Sequence, residues 1–304
     1  MSVSPTEVNA SAELKAPIGD LEICYQTFGD ASDEPILLVM GLGGPMTWWD
    51  EEFCRLLAAR GFFVIRYDNR DTGRSSRAQG RVTRLDVVRA FSQTSRRAPY
   101  SLADMADDGF GLLDHLGLDS AHVVGVSMGG MIVQTMALAQ PQRVRSMVSI
   151  MSTTGRRTVG WQDPRLFPML LGPRLGTRED YIVGSAKMWR YIGSPAFPID
   201  EAVNRAKAAE TFDRGISSSG ILRQMAAILT QPNRTRELRS LRIPVAVIHG
   251  LADRMVHVSG GRATAAAIPD AELVTIAGMG HDLPPQLYDD IIDVIERTAH
   301  RQRS

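Results

Sequence analysis

Short, strongly apolar runs alternate along this chain with longer stretches in which apolar residues recur every three or four positions. The runs are "LEICYQTF" (21–28), "PILLVM" (35–40), "FFVIRYD" (62–68), "AHVVGVS" (121–127), "VRSMVSIM" (144–151), "PVAVIHG" (244–250) and "AELVTIAG" (271–278). Several are apolar at nearly every position rather than every second one, as expected of parallel strands covered by helices on both faces. Between them, "WDEEFCRLLAARG" predicts a helix ended by glycine, and "SLADMADDGFGLLDHLG" one opened by a capping box of Ser101 and Asp104. The alternation therefore predicts an α/β fold with a doubly wound, mostly parallel sheet.

The rhythm breaks over 153–240, where no strand pattern stands out and Pro, Gly and Arg interrupt amphipathic segments. Two of these predict helices: "TREDYIVGSAKMWRYIGS" lines up Tyr181, Ile182, Met188, Trp189 and Ile192, and "SSGILRQMAAILTQ" lines up Ile221, Leu222, Met225 and Ile228. The expected organisation is a core in two parts, 1–152 and 241–304, interrupted by a helical cap at 153–240 over the carboxyl edge of the sheet, where open α/β folds place their ligands.

Charge narrows the classes of partner. Lys+Arg and Asp+Glu both number 34, which leaves no basic surplus for nucleic acid. The N-terminal segment lacks the basic and apolar regions of a secretory signal, and no long uncharged apolar run suggests a membrane span, so the expected location is the cytoplasm. Cys24 and Cys54 fit no zinc spacing or disulfide framework and read as buried thiols.

Candidate chemistry begins at Gly125-Val126-Ser127-Met128-Gly129, between a strand and a helix. Flanking glycines allow a turn too sharp for side chains, with Ser127 held out in strained geometry as a nucleophile. A serine hydroxyl needs a base, and the base an orienting carboxylate. Asp253 in "HGLADRMV" and His281 in "GMGHDLP" each lie on a loop beyond a strand, in the chain order that such an elbow requires. Asp282 is adjacent to the histidine and points elsewhere. His115, His122, His249, His257 and His300 read as packing, neighbouring or surface residues. The glycine cluster in "VMGLGGPMTWW" offers the other half of an oxyanion site, whose donors are the N–H groups of Leu42 and Met128.

"RYDNRDTGRSS" (66–76) fits no metal-ligand pattern and reads as a hydrogen-bonded turn bracing the neighbouring loops. Trp48, Met188 and Trp189 are candidates for an apolar substrate pocket, with cap packing as the alternative.

Together, "VMGLGGPMTWW", "VIRYDNRDTGRSS", "HVVGVSMGG" and "IAGMGHDLP" resemble the α/β-hydrolase family, and within it the esterase branch that includes aclacinomycin methylesterase and mycobacterial lipase-like hydrolases. The resemblance implies Ser127, Asp253 and His281 as a catalytic triad and Leu42 with Met128 as oxyanion donors. One departure from the wider family is Met40, where many members carry histidine. The expected function is hydrolysis of an apolar small-molecule carboxylic ester without metal or organic cofactor. Thioester or carbon–carbon bond hydrolysis, perhydrolysis, or ligand binding without turnover remain alternatives on the same scaffold.

Overall fold

The computed structural model describes residues 5–94, 97–171 and 176–301. Eight strands form one sheet: β1 (Leu14–Ile18), β2 (Leu21–Phe28), β3 (Glu34–Val39), β4 (Phe62–Tyr67), β5 (Ala121–Val126), β6 (Val144–Ile150), β7 (Val245–Gly250) and β8 (Glu272–Ile276). Their spatial order is β1-β2-β4-β3-β5-β6-β7-β8. The β1/β2 and β2/β4 pairs are antiparallel and the others parallel. Every residue of β4, β5 and β7 is buried, which is why those runs lack alternation.

β1 was not expected from the sequence. It is an edge strand holding Lys15 and Pro17, and it pairs with β2 across a two-residue turn at Gly19-Asp20. Proline weakens the sequence signal of a strand, but a sheet edge tolerates its missing N–H.

Ten helices are described: α1 (Glu51–Ala58), α2 (Arg84–Phe91), α3 (Leu102–His115), α4 (Met128–Ala139), α5 (Phe167–Leu171), α6 (Arg178–Ile192), α7 (Glu201–Gly215), α8 (Ser218–Thr230), α9 (Ser259–Ala267) and α10 (Tyr288–Ala299). The Ser101–Asp104 capping box opens α3, and Thr177 with Asp180 forms another at α6. The sheet separates two apolar layers. One packs Leu37, Val123 and Ile132 with α3 and α4; the other packs Leu38, Val124, Phe53 and Ile291 with α1 and α10. Both cysteines are free and buried.

Helices α5–α8 all lie between β6 and β7. In α6, Ile182 and Ile192 are buried, while Met188 and Trp189 are only partly so. The buried face of α8 departs from the apolar stripe expected: Arg223 and Gln224 are buried alongside Ile221, Ala226 and Ala227, and Leu222 and Met225 pack at its margin near Val82 and Val87. The polar pair is buried because partners wait for it in the 66–76 turn, described below.

Candidate active site

The turn between β5 and α4 is set by close packing. A Cβ on Gly125 would overlap the carbonyl of Gly129, and one on Gly129 would overlap the carbonyl of Val39 in β3, so strand, helix and neighbouring strand approach only because both positions lack side chains. Ser127, between them, has φ 58° and ψ −117°. This is a conformation that residues with a Cβ adopt only under strain. Its backbone is pinned on both sides: the N–H donates to Ile150 O at 2.8 Å, and the carbonyl accepts from Ser152 Oγ at 2.7 Å.

The structure brings the three predicted residues together across the ends of β5, β7 and β8. His281 Nε2 lies 3.0 Å from Ser127 Oγ, and His281 Nδ1 lies 2.7 Å from Asp253 Oδ2. An ionised carboxylate only accepts, so Nδ1 carries the proton and Nε2 is left to accept from the Ser127 hydroxyl. Asp253 is held by its own turn, with Oδ1 accepting from the N–H groups of Met255 and Val256 at 2.8 Å each. Burial by itself would raise the Asp253 carboxyl, but His281, with His249 beside it, outweighs that and holds it down at about 2. The carboxylate therefore stays charged next to the imidazole.

His249 is fully buried. Its Nε2 is 2.7 Å from Val256 O and 3.5 Å from Asp253 Oδ2, so it braces the aspartate turn rather than facing Ser127. His257 stacks on Trp161 at 4.1 Å and its Nδ1 lies 2.9 Å from Ser259 Oγ; burial lowers its pKa. His122 pairs with Ser146 and Glu34, His115 meets Tyr25 edge-on, and His300 stacks on Phe62. Asp282 hydrogen-bonds Ser194 instead of His281, and its burial raises its pKa. Ser194 Oγ also accepts from Gly280 N–H at 2.8 Å, and His281 N–H donates to Ile192 O at 2.7 Å. The end of α6 thus carries the histidine loop, a role that no local sequence signal announced.

The glycine loop after β3 runs beside the elbow: a Cβ on Gly41 would sit 3.2 Å from Ser127 Cβ. Among the described residues, neither the N–H of Leu42 nor that of Met128, at the first position of α4, has a hydrogen-bond partner. Met128 adds the positive end of the α4 dipole.

The turn at 66–76 braces this loop. Asp68 Oδ1 accepts from Met46 N–H at 2.7 Å, and Asn69 Nδ2 donates to Met40 O at 2.9 Å. Asp68 is paired with Arg214 of α7 at 2.8 Å, and Asp71 with Arg223 of α8 at 2.5 Å and with the Tyr100 hydroxyl at 2.7 Å. These carboxylates face guanidinium groups, and no cluster of metal-ligating side chains occurs among the described residues.

Trp48 donates from Nε1 to Thr211 Oγ1 at 3.0 Å and meets Trp189 edge-to-face, with ring centroids 5.2 Å apart. Met188 packs with Leu166, Ile192 and Met255. Trp189 also lines a cavity of about 280 Å³ with Tyr191, Ile199, Arg254 and Asp282; Ser127 is not among its lining residues.

Comparison with known proteins identifies the fold and the family. A profile of the alpha/beta hydrolase fold matches residues 34–285. Rhodomycin D methylesterase of Streptomyces sp. (strain C5) is 31% identical over 298 residues, covering 91% of this chain and 94% of that protein. The rhodomycin D methylesterase of Streptomyces peucetius is 28% identical with the same coverage. Among solved structures, the enol-lactonase of Burkholderia xenovorans aligns with a TM-score of 0.75 at 21% identity, over 95% of this chain and 100% of that one.

Proposed function

This chain belongs to the α/β-hydrolase family, and from that premise we propose that it is a serine hydrolase of carboxylic esters working through an acyl-enzyme. The observation that carries the reading is the relay itself: a backbone-strained Ser127 hydroxyl 3.0 Å from an imidazole whose other nitrogen is 2.7 Å from a buried, ionised Asp253.

In this reading Ser127 Oγ attacks the ester carbonyl as His281 Nε2 takes its proton. The oxygen that gains charge moves toward the N–H groups of Leu42 and Met128, which have no partner of their own among the described residues. One such donor is typically worth about a hundred- to a thousandfold in rate. His281 then protonates the leaving alkoxide; in the second half it takes a proton from the water that attacks the acyl carbon and returns that proton to Ser127 Oγ as the Oγ–acyl bond breaks and the acid leaves. Asp253 keeps the imidazole in the required tautomer and stabilises its cation. The reaction balances with ester and water alone.

Two relatives named as methylesterases support ester chemistry over the thioester, carbon–carbon and perhydrolysis alternatives. We read α5–α8 as a cap over the site, with Trp48 and Trp189 on its substrate side and Met188 in its packing.

The test is hydrolysis of p-nitrophenyl esters of increasing acyl length by the wild-type protein and Ser127→Ala in parallel. The reading expects turnover in the first and a fall of about 10⁴-fold or more in the second. Retained turnover in a purified, folded Ser127→Ala protein would falsify it.

A further inference from the structure

One buried polar side chain of α8 has no part in the chemistry above. Gln224 is fully buried, and its amide is spent entirely on the core. Oε1 accepts from Gly43 N–H at 2.8 Å, while Nε2 donates to Arg70 O at 2.8 Å and to Thr72 Oγ1 at 2.9 Å. The loop from Met40 to Met46 is consequently held at three points. Asn69 holds the carbonyl at its start and Asp68 the N–H at its end, both from the 66–76 turn, whereas the middle is held from α8.

Resting on the ester-hydrolase reading, we propose that Gln224 is a positioning residue for the oxyanion site, so that the Leu42 donor is aimed only while α8 is docked. The peptide between Leu42 and Gly43 is planar, so a bond to Gly43 N–H fixes that whole plane. The Leu42 N–H belongs to the plane before it. That plane also contains Gly41 O, which accepts from Gly44 N–H at 3.2 Å. With both flanks held, little freedom remains for the N–H between them. Aim matters because an oxyanion donor acts over a span of only a few tenths of an ångström.

A neutral amide suits this position chemically. It must accept from one backbone N–H and donate to one backbone carbonyl at once, which a carboxylate, a lysine or an apolar side chain does not do. The same helix is anchored next door by the Arg223–Asp71 pair, and α7 by Arg214–Asp68. The cap is thereby clamped to the turn that braces the oxyanion loop. A cap that swung away at α8 would release Gly43 and disarm the site.

The experiment compares wild type, Gln224→Leu, Gln224→Asn, Gln224→Glu and Thr72→Val for ester hydrolysis and for inhibition by an alkylboronic acid, whose tetrahedral adduct on Ser127 puts an oxygen in the oxyanion position. Gln224→Leu is expected to lower kcat by about thirtyfold, with KM within about twofold and the boronate Ki raised by the same factor as kcat falls. Gln224→Asn, one methylene too short to reach Gly43, should show the same selective loss and serves if the leucine variant does not fold. Gln224→Glu keeps an acceptor for Gly43 N–H but turns its second carboxylate oxygen toward the Arg70 carbonyl, and should fall between wild type and Gln224→Leu. Thr72→Val removes a Gln224 partner but not the Gly43 bond, and should stay within about threefold of wild type.

Leucine and asparagine variants with kcat and Ki within twofold of wild type would overturn the proposal. So would a rise in KM alone, which would mean that Gln224 contacts substrate. Fluorophosphonate labelling of wild type and Ser127→Ala tests the underlying reading separately: if Ser127 is not labelled, the ester-hydrolase reading falls and this inference with it.

Discussion

Val39 and Gly129 meet backbone to backbone, with the α carbon of the helix residue so near the strand carbonyl that a methyl group between them would overlap it. This contact seats the N-terminus of α4, and with it Ser127 and Met128, directly beside the loop that follows β3. Gly129→Ala should therefore cost about 3 kcal/mol or more, because backbone cannot yield as a side-chain tip can. A shift of the urea midpoint of less than a few tenths molar would contradict this account of the elbow.

Ser127 stores strain that glycine would not feel. At φ 58° and ψ −117° a residue with a Cβ pays roughly 1–3 kcal/mol. Ser127→Gly escapes that strain but adds unfolded-state entropy worth up to about 1 kcal/mol. The net expectation is a glycine variant about 1 kcal/mol more stable than wild type, with turnover lost. Ser127→Ala, which keeps the Cβ, should melt close to wild type. Thermal denaturation of the three proteins decides it; a glycine variant no more stable than the alanine one would mean that the turn is unstrained.

Asp253→Asn should retain its two bonds from Met255 and Val256 N–H through the amide oxygen while turning an amide donor toward His281 Nδ1. The imidazole is then driven into the tautomer that donates from Nε2, the wrong state for taking the Ser127 proton. A loss of about 10⁴ in kcat is expected. The same variant carries a pH signature. Because the folded state holds the Asp253 carboxyl down at about 2 rather than 3.8, its charge favours folding above the unfolded value, and that contribution disappears as pH falls through the folded one. Wild type should lose stability between pH 4 and 2 more steeply than Asp253→Asn. Parallel slopes in urea unfolding over that range would show that the charge is not held this way.

The buried pair Arg223–Asp71 links α8 to the core with both side chains almost wholly out of solvent. Removing the cation alone leaves Asp71 charged, and Tyr100 and the Ala78 N–H cannot neutralise it. Arg223→Leu should destabilise by about 3–5 kcal/mol, and adding Asp71→Asn should restore much of that. Chemical denaturation of the single and double variants measures the difference; a double variant as unstable as the single one would shift the cost from charge to packing.

Much of this molecule can be read from local pattern. The uninterrupted apolar runs mark strands covered on both faces, because a residue between two helix layers meets no water on either side, and the capping box at Ser101 is a rule of helix ends. The spacing of Gly125, Ser127 and Gly129 reports a turn geometry that few other residues permit, and Asp253 and His281 follow strands whose ends such runs locate. What the pattern misses is where polarity is spent at long range. β1 hides behind Pro17 because its pairing depends on a sheet edge that only the assembled fold supplies. Arg214, Arg223 and Gln224 look like the wet side of α7 and α8, yet packing turns them inward onto Asp68, Asp71 and a glycine loop 181 residues away from Gln224. Hydrophobic periodicity records which side of an element avoids water. A buried hydrogen bond between distant segments has no period, so local pattern carries the layers and the chain order of Ser127, Asp253 and His281, whereas only the folded chain brings Arg214, Arg223 and Gln224 onto the turn and the glycine loop beside Ser127.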